Sequence, residues 1–297
     1  MRSMRGVCAG APTGANDSST NATPIRMMPP CAFRDIVEPS WCRAVGQCAI
    51  VIHVMAALFA KSVLGDAREQ ELIGAFLGNA PGTFVEVGAN DPILLSQTRD
   101  LERRGWNGIL IEPLREYAEQ LRSGRLARVF QVAAGAPEDE GKKLPLLVAG
   151  ALSTLEPSIV EDVRPSEIRQ VPVRTLDSIL AEAGLDRVDF LSIDVEGAEL
   201  AVLRGFSIAR YRPRLILVED DVHDLTKHAY LAAHGYKLVR RTALNNWYVP
   251  RDMPFPISPF GRWQLIRKLY LGTWWRRLKR QRKLRRREAR TGRIGKT

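Results

Sequence analysis

Apolar positions in the middle of this chain follow two periods. Short, nearly unbroken apolar runs recur at 84–88, 109–112, 129–133, 190–194 and 215–219, each the length of a buried strand. Between them, at 92–104, 114–123, 176–183, 198–205 and 223–234, apolar residues recur three or four apart, the spacing of helices with one buried face. A further amphipathic helix, AREQELIGAFLG, ends at Gly78. Strands buried on both faces that alternate with helices predict an α/β fold with a mostly parallel sheet and helices on both faces. The last unit differs. YKLVRRTALNNWYVP predicts two strands around Ala243–Asn245, an antiparallel hairpin that closes the sheet.

Composition divides the chain into four parts. Residues 1–40 are rich in Gly, Ala, Ser, Asn, Thr and Pro, with little periodicity, and predict a disordered leader. Residues 41–65 hold the run CAIVIHVMAALFA, too short for a membrane span, and predict an apolar, membrane-proximal helix. Residues 66–252 make the α/β domain, and 253–297 a basic, aromatic-rich tail. The net charge is +11; residues 262–297 carry 15 Lys/Arg against one acid, or +14, so residues 1–261 carry 11 − 14 = −3. The basicity therefore belongs to the tail and not to the domain. All four cysteines lie within the first 48 residues without a Cys-x-x-Cys pair, which argues against a zinc site.

Candidate chemistry gathers at the carboxyl ends of the predicted strands, where open parallel sheets bind ligands. FVEVGANDP has one glycine, Gly88, where a dinucleotide fingerprint needs three. Gly88 would let the backbone approach a ligand closely. Asp91 and Pro92 predict a helix start facing the pocket. Gly88 between Glu86 and Asn90 suits a ligand with a cationic or hydroxyl-rich part. Glu112, ending the second strand, is placed to accept the hydroxyls of a ribose. A ribose without a diphosphate, joined to a positive group, describes S-adenosylmethionine.

FVEVGANDP, GWNGILIEP, VRTLDSIL, VDFLSIDVEGAELAVLRGF and RPRLILVED, in this order, resemble the FkbM-type methyltransferases over residues 82–250. The block at 189–205 is the most specific part. The resemblance implies a class I methyltransferase fold with a seven-stranded, Rossmann-like sheet, S-adenosylmethionine as cofactor, and methylation of hydroxyl oxygens on sugars or natural products. It implies that Glu86, Gly88 and Asn90 line the cofactor and that Glu112 holds its ribose. Pro92 departs from the family, which often has glycine there.

A sugar hydroxyl needs a base or a metal before it attacks a methyl group near neutral pH. Asp194 is the expected residue nearest the reacting centre, and Glu196 an orienting or basic partner; the rival role for Glu196 is to cap the next helix. His223 is a candidate base. Mg²⁺ held by Asp194 with Asp220 or Asp221 is the alternative, and no metal is assigned. Two other readings remain open at this point: an NAD-dependent nucleotide-sugar oxidoreductase, against which the single glycine and the lack of a Tyr-x-x-x-Lys pair speak, and a non-catalytic membrane-associated module with a degenerate cofactor pocket.

In the tail, Trp263, Ile266, Tyr270, Trp274 and Leu278 share one helical face among arginines and lysines. Over residues 261–290 this predicts an amphipathic helix on an anionic membrane surface, with nucleic acid the less favoured partner. The expected setting is cytoplasmic, peripheral at the inner membrane surface, with a saccharide or small-molecule acceptor.

Overall fold

The computed structural model describes residues 69–93, 96–149, 153–155, 166–220, 225–242, 244–272, 274–275, 278 and 281–282. The predicted leader, the apolar helix at 41–65 and His223 lie outside them. Among the described residues, ten strands form two sheets: β1 (Thr83–Val87), β2 (Asn107–Ile111), β3 (Arg128–Phe130), β4 (Ala133–Ala134), β5 (Lys143–Val148), β6 (Glu167–Arg174), β7 (Phe190–Ile193), β8 (Leu215–Glu219), β9 (Tyr236–Thr242) and β10 (Asn245–Pro250). The main sheet has seven strands in the order β3-β2-β1-β7-β8-β10-β9. Its first five neighbours run parallel, and β10 lies antiparallel to both β8 and β9.

The helices are α1 (69–77), α2 (Arg99–Arg103), α3 (Arg115–Gly124), α4 (Leu176–Ala183), α5 (Glu199–Arg204), α6 (Ile208–Tyr211), α7 (Thr226–Ala233) and α8 (Pro259–Ile266). The period of two along the strands sorts the core into two layers. Val85, Val87, Leu191, Ile193, Ile216 and Val218 face one side, packed with α4, α5 and α7 through Ile179, Leu203 and Leu231. Phe84, Leu110, Phe190, Leu217 and Trp247 face the other, against Ile73 and Leu77 of α1, Leu101 of α2 and Leu121 of α3. Helices on both faces of a mostly parallel sheet make this the α/β fold expected, with the terminal hairpin in place. Glu69 of α1 clamps that hairpin, accepting from Asn245 Nδ2 (2.7 Å), Trp247 Nε1 (3.1 Å) and the Thr242 hydroxyl.

Three segments differ from expectation. The helix predicted over 92–104 is confined to Arg99–Arg103. Asp91 instead accepts from the Ile93 amide (2.7 Å) in a local turn. The chain then wraps a buried carboxylate: Glu86 accepts from Ser96 Oγ (3.0 Å), the Gln97 amide (2.7 Å) and the Thr98 hydroxyl. No helix N-terminus opens at Asp91 and Pro92. The strand predicted over 129–133 is cut, because after Phe130 the chain leaves the main sheet and β4 pairs with β6. The second sheet, β4-β6-β5, was not expected at all. Its strands carry Pro145 and Pro172 and bury one face only, through Leu146, Val148, Val171 and Val173, so they lack the continuous apolar run that marks the parallel strands.

Candidate active site

A cleft opens at the carboxyl ends of β1, β2 and β7, the place where open parallel sheets bind ligands. The second sheet and α3 supply its apolar wall, including Leu146, Ala133 and Tyr117. Gly88, Asn90 and Glu112 line it, together with Asp194 and Glu196.

Gly88 has φ +79°, and a Cβ there would overlap the carbonyl oxygen of Asp194. What sits over Gly88 is therefore the neighbouring strand end, so the glycine spaces β1 from β7 before it serves any ligand. The Asp194 amide returns the contact, donating to Val87 O at 3.0 Å. Asn90 follows in the left-handed region (φ 46°), a conformation its short polar side chain tolerates.

Glu112 is buried and holds the loop from behind: it accepts from the Asn90 amide (3.0 Å) and the Leu114 amide (2.9 Å). Burial pushes its carboxyl up to about 7; the two amides oppose that shift, and Glu116 adds to it. With the folded pKa above the ordinary 4.5, the folded chain binds more protons between those values. That contribution is full at acid pH and is lost as pH rises through about 7. Glu112→Gln should flatten the pH dependence of urea-unfolding stability across this window; an unchanged slope would assign it to other groups.

Glu86 does not line the cavity. Its oxygens are turned to the 96–98 turn, and Arg125 stands behind them, bonded to Ser96, Thr98 and Glu102. Burial outweighs Arg125 and raises the Glu86 pKa. It is a structural anchor for the loop that carries the site.

Ligand oxygens of Asp194, Glu196 and Glu219 lie within 4.8 Å of one another. Crowding by protein atoms, then the adjacent Glu219 carboxylate, hold the Asp194 pKa well above the usual carboxylate range. The sequence alone did not bring Glu219 into this group. Glu196 is in the left-handed region (φ 52°), and its carbonyl accepts from Thr154 Oγ1 at 2.6 Å. It does not cap α5, whose N-cap position is Ala198; Glu199, the first residue of that helix, accepts from the Gly197 amide at 2.7 Å. Lys227, which sequence reasoning also missed, ties this region together. It contacts Glu199 (3.0 Å), Glu219 O (3.1 Å) and Asp220 (3.4 Å). Burial opposes its charge, but Glu199 and Asp220 outweigh burial and raise its pKa. Asp220 contacts Lys227 and Asn246 and lies outside the Asp194 cluster, unlike one of the two pairings considered for Mg²⁺; the other partner, Asp221, lies outside the described residues. An oxygen-only cluster of this kind can share a proton or take a hard cation.

Residues 86–238 match the methyltransferase FkbM domain. The chain belongs to the FkbM methyltransferase family. Membership decides between the two enzyme readings, in favour of methyl transfer over nucleotide-sugar oxidation. Within this FkbM chain, 96 residues are 35% identical to the AMB antimetabolite synthetase AmbE of Pseudomonas aeruginosa. That match covers 29% of the chain and 4% of the synthetase, so the chain spans a small fraction of that relative. A crystal structure of a methyltransferase-like protein from Silicibacter pomeroyi aligns with 67% of this chain and 93% of that one, at 12% identity and a TM-score of 0.30.

Proposed function

We propose that this FkbM methyltransferase uses S-adenosylmethionine and methylates a hydroxyl oxygen of a saccharide. The observation that carries the reading is one cleft lined by both Glu112 and Asp194, with Glu219 crowded against Asp194. The donor set fits the cofactor. Glu112 would accept the ribose hydroxyls, Gly88 and Asn90 would border the methionine part, and the apolar wall would cover the base. The bound cofactor supplies a methyl group already activated on a sulfonium. Asp194 accepts the proton of the acceptor hydroxyl, and its raised pKa makes it a stronger base than an ordinary carboxylate. Glu196 and Glu219 orient that hydroxyl, and their negative charge favours the cationic donor. Several carboxylates around one mouth suit a polyhydroxylated acceptor, which supports the saccharide. The partial match to an antimetabolite synthetase supports a second acceptor class, a small molecule.

Calorimetric titration of the full chain with S-adenosylhomocysteine, and with NAD⁺ as control, tests the cofactor. Binding of the first alone is expected. Glu112→Ala should weaken it about 10- to 100-fold, the worth of one or two bonds to a charged group; an unchanged affinity would remove the ribose assignment. Mass spectrometry of saccharide acceptors then tests the product, and methyl transfer to nitrogen or carbon alone would sink the hydroxyl reading.

A further inference from the structure

The segment after β10 is pinned to the domain and then leaves it. Phe255 packs on Phe76 with ring centroids 5.5 Å apart, and Arg240 lies over the Phe255 ring at 5.4 Å. From Pro259 the chain is helical, through α8 and a π-helical turn at Arg267–Leu271. α8 touches β9, yet a set of the segment's large apolar residues faces solvent: Trp263 is 54% exposed, Tyr270 66% and Trp274 64%, with Phe260, Ile266 and Leu271 exposed beside them. Phe260 stacks on Trp263 (6.3 Å), Trp274 meets Trp275 (6.2 Å), and Arg267 lies over Trp263 (5.4 Å). Single exposed apolar residues are ordinary. A continuous set along one helix marks an interaction surface.

The charge names the occupant. Residues 262–297 hold 15 Lys/Arg and one acid, so the partner is anionic. Nucleic acid would use the rings for stacking on bases, but Ile266 and Leu271 among them have no flat face to stack. Aliphatic and aromatic residues together, rimmed by cations, match the boundary between acyl chains and anionic headgroups. Among the described residues no helix is long and apolar enough to cross a membrane. We propose that this segment docks the enzyme on an anionic lipid bilayer. It lies in the headgroup plane with Trp263, Tyr270 and Trp274 inserted and its Lys/Arg on the lipid phosphates. The inference stands apart from the methyl-transfer reading.

Flotation of the full chain with vesicles of phosphatidylcholine, alone or mixed with phosphatidylglycerol, tests it. The chain should float only with the mixed vesicles. The doubly substituted W263S/W274S chain should lose about tenfold or more of that partitioning, with an unchanged melting temperature as the check on folding. A blue shift of tryptophan emission in the unsubstituted chain on adding mixed vesicles is a second expected readout. Absence of flotation with either vesicle overturns the proposal, as does flotation that ignores both substitutions. Capture by a single-stranded oligonucleotide without flotation would overturn it in favour of nucleic acid.

Discussion

Asp194→Asn lowers kcat for methyl transfer by about 10²–10⁴-fold, the range that a positioned general base contributes. Affinity for S-adenosylhomocysteine should stay within about threefold, because the substitution removes an interaction made in the transition state and not in the ground state. Asparagine keeps the side-chain volume, the main-chain bond from residue 194 to Val87 O and the carbonyl packed on Gly88. It cannot take a proton. The unsubstituted enzyme also has a characteristic pH response. Crowding by protein atoms and the Glu219 carboxylate raise the Asp194 pKa well above its usual range, so the rate rises with pH as the cluster gives up its proton. The asparagine variant loses that rise. Single-turnover kinetics over a pH series measure both effects, and a fully active variant with the parental pH profile would exclude Asp194 as the base.

The largest effect on stability is expected far from the reaction, at Arg125. Its side chain is buried and reaches Glu102 (2.9 Å), Ser96 (2.9 Å) and Thr98 (2.8 Å), with Glu86 at 3.7 Å. Arg125→Met leaves two buried carboxylates without their cation and should cost about 3–5 kcal/mol. In a domain of this size that lowers the melting temperature by about 10 °C or more. Adding Glu86→Gln should recover part of the loss, since one buried charge is then removed with its partner. Thermal unfolding of the single and double variants measures the coupling. A single variant within about 0.5 kcal/mol of the parent, the range of ordinary surface changes, would show that the ion network does not hold this loop.

Glu86 illustrates how far the sequence could be read. A carboxylate beside a strand-ending glycine looks the same whether it faces a ligand or its own backbone. The difference is made by Ser96, Thr98 and Arg125, which are 10, 12 and 39 positions away and carry no shared pattern. The parallel strands were legible because burial on both faces leaves a continuous apolar run, and Leu215–Glu219 and Leu176–Ala183 fall where periodicity placed them. Thr175 caps α4, accepting from the Ser178 amide, the role that a threonine before an apolar helical period commonly takes. The strands β5 and β6 were not legible, because each buries one face and contains a proline. At the site, the strand-end rule located Glu112 and Asp194 singly, and the apolar run at 215–219 ends on Glu219. It could not show that Asp194 and Glu219 meet while Asp220, next in sequence, turns to Lys227. That choice is made by the alternation of side chains at the end of β8 and by Lys227, seven residues further on in the first turn of α7.

The contact between Gly88 and the Asp194 carbonyl has a thermodynamic consequence. The two strand ends that frame the cavity are locked together by main chain, without help from any guest. A ligand entering there meets a shape already made, and little ordering remains to be done on its arrival. Titration should therefore give a heat-capacity change that matches the apolar surface covered by the ligand alone, without the larger change that accompanies folding of a segment around its guest.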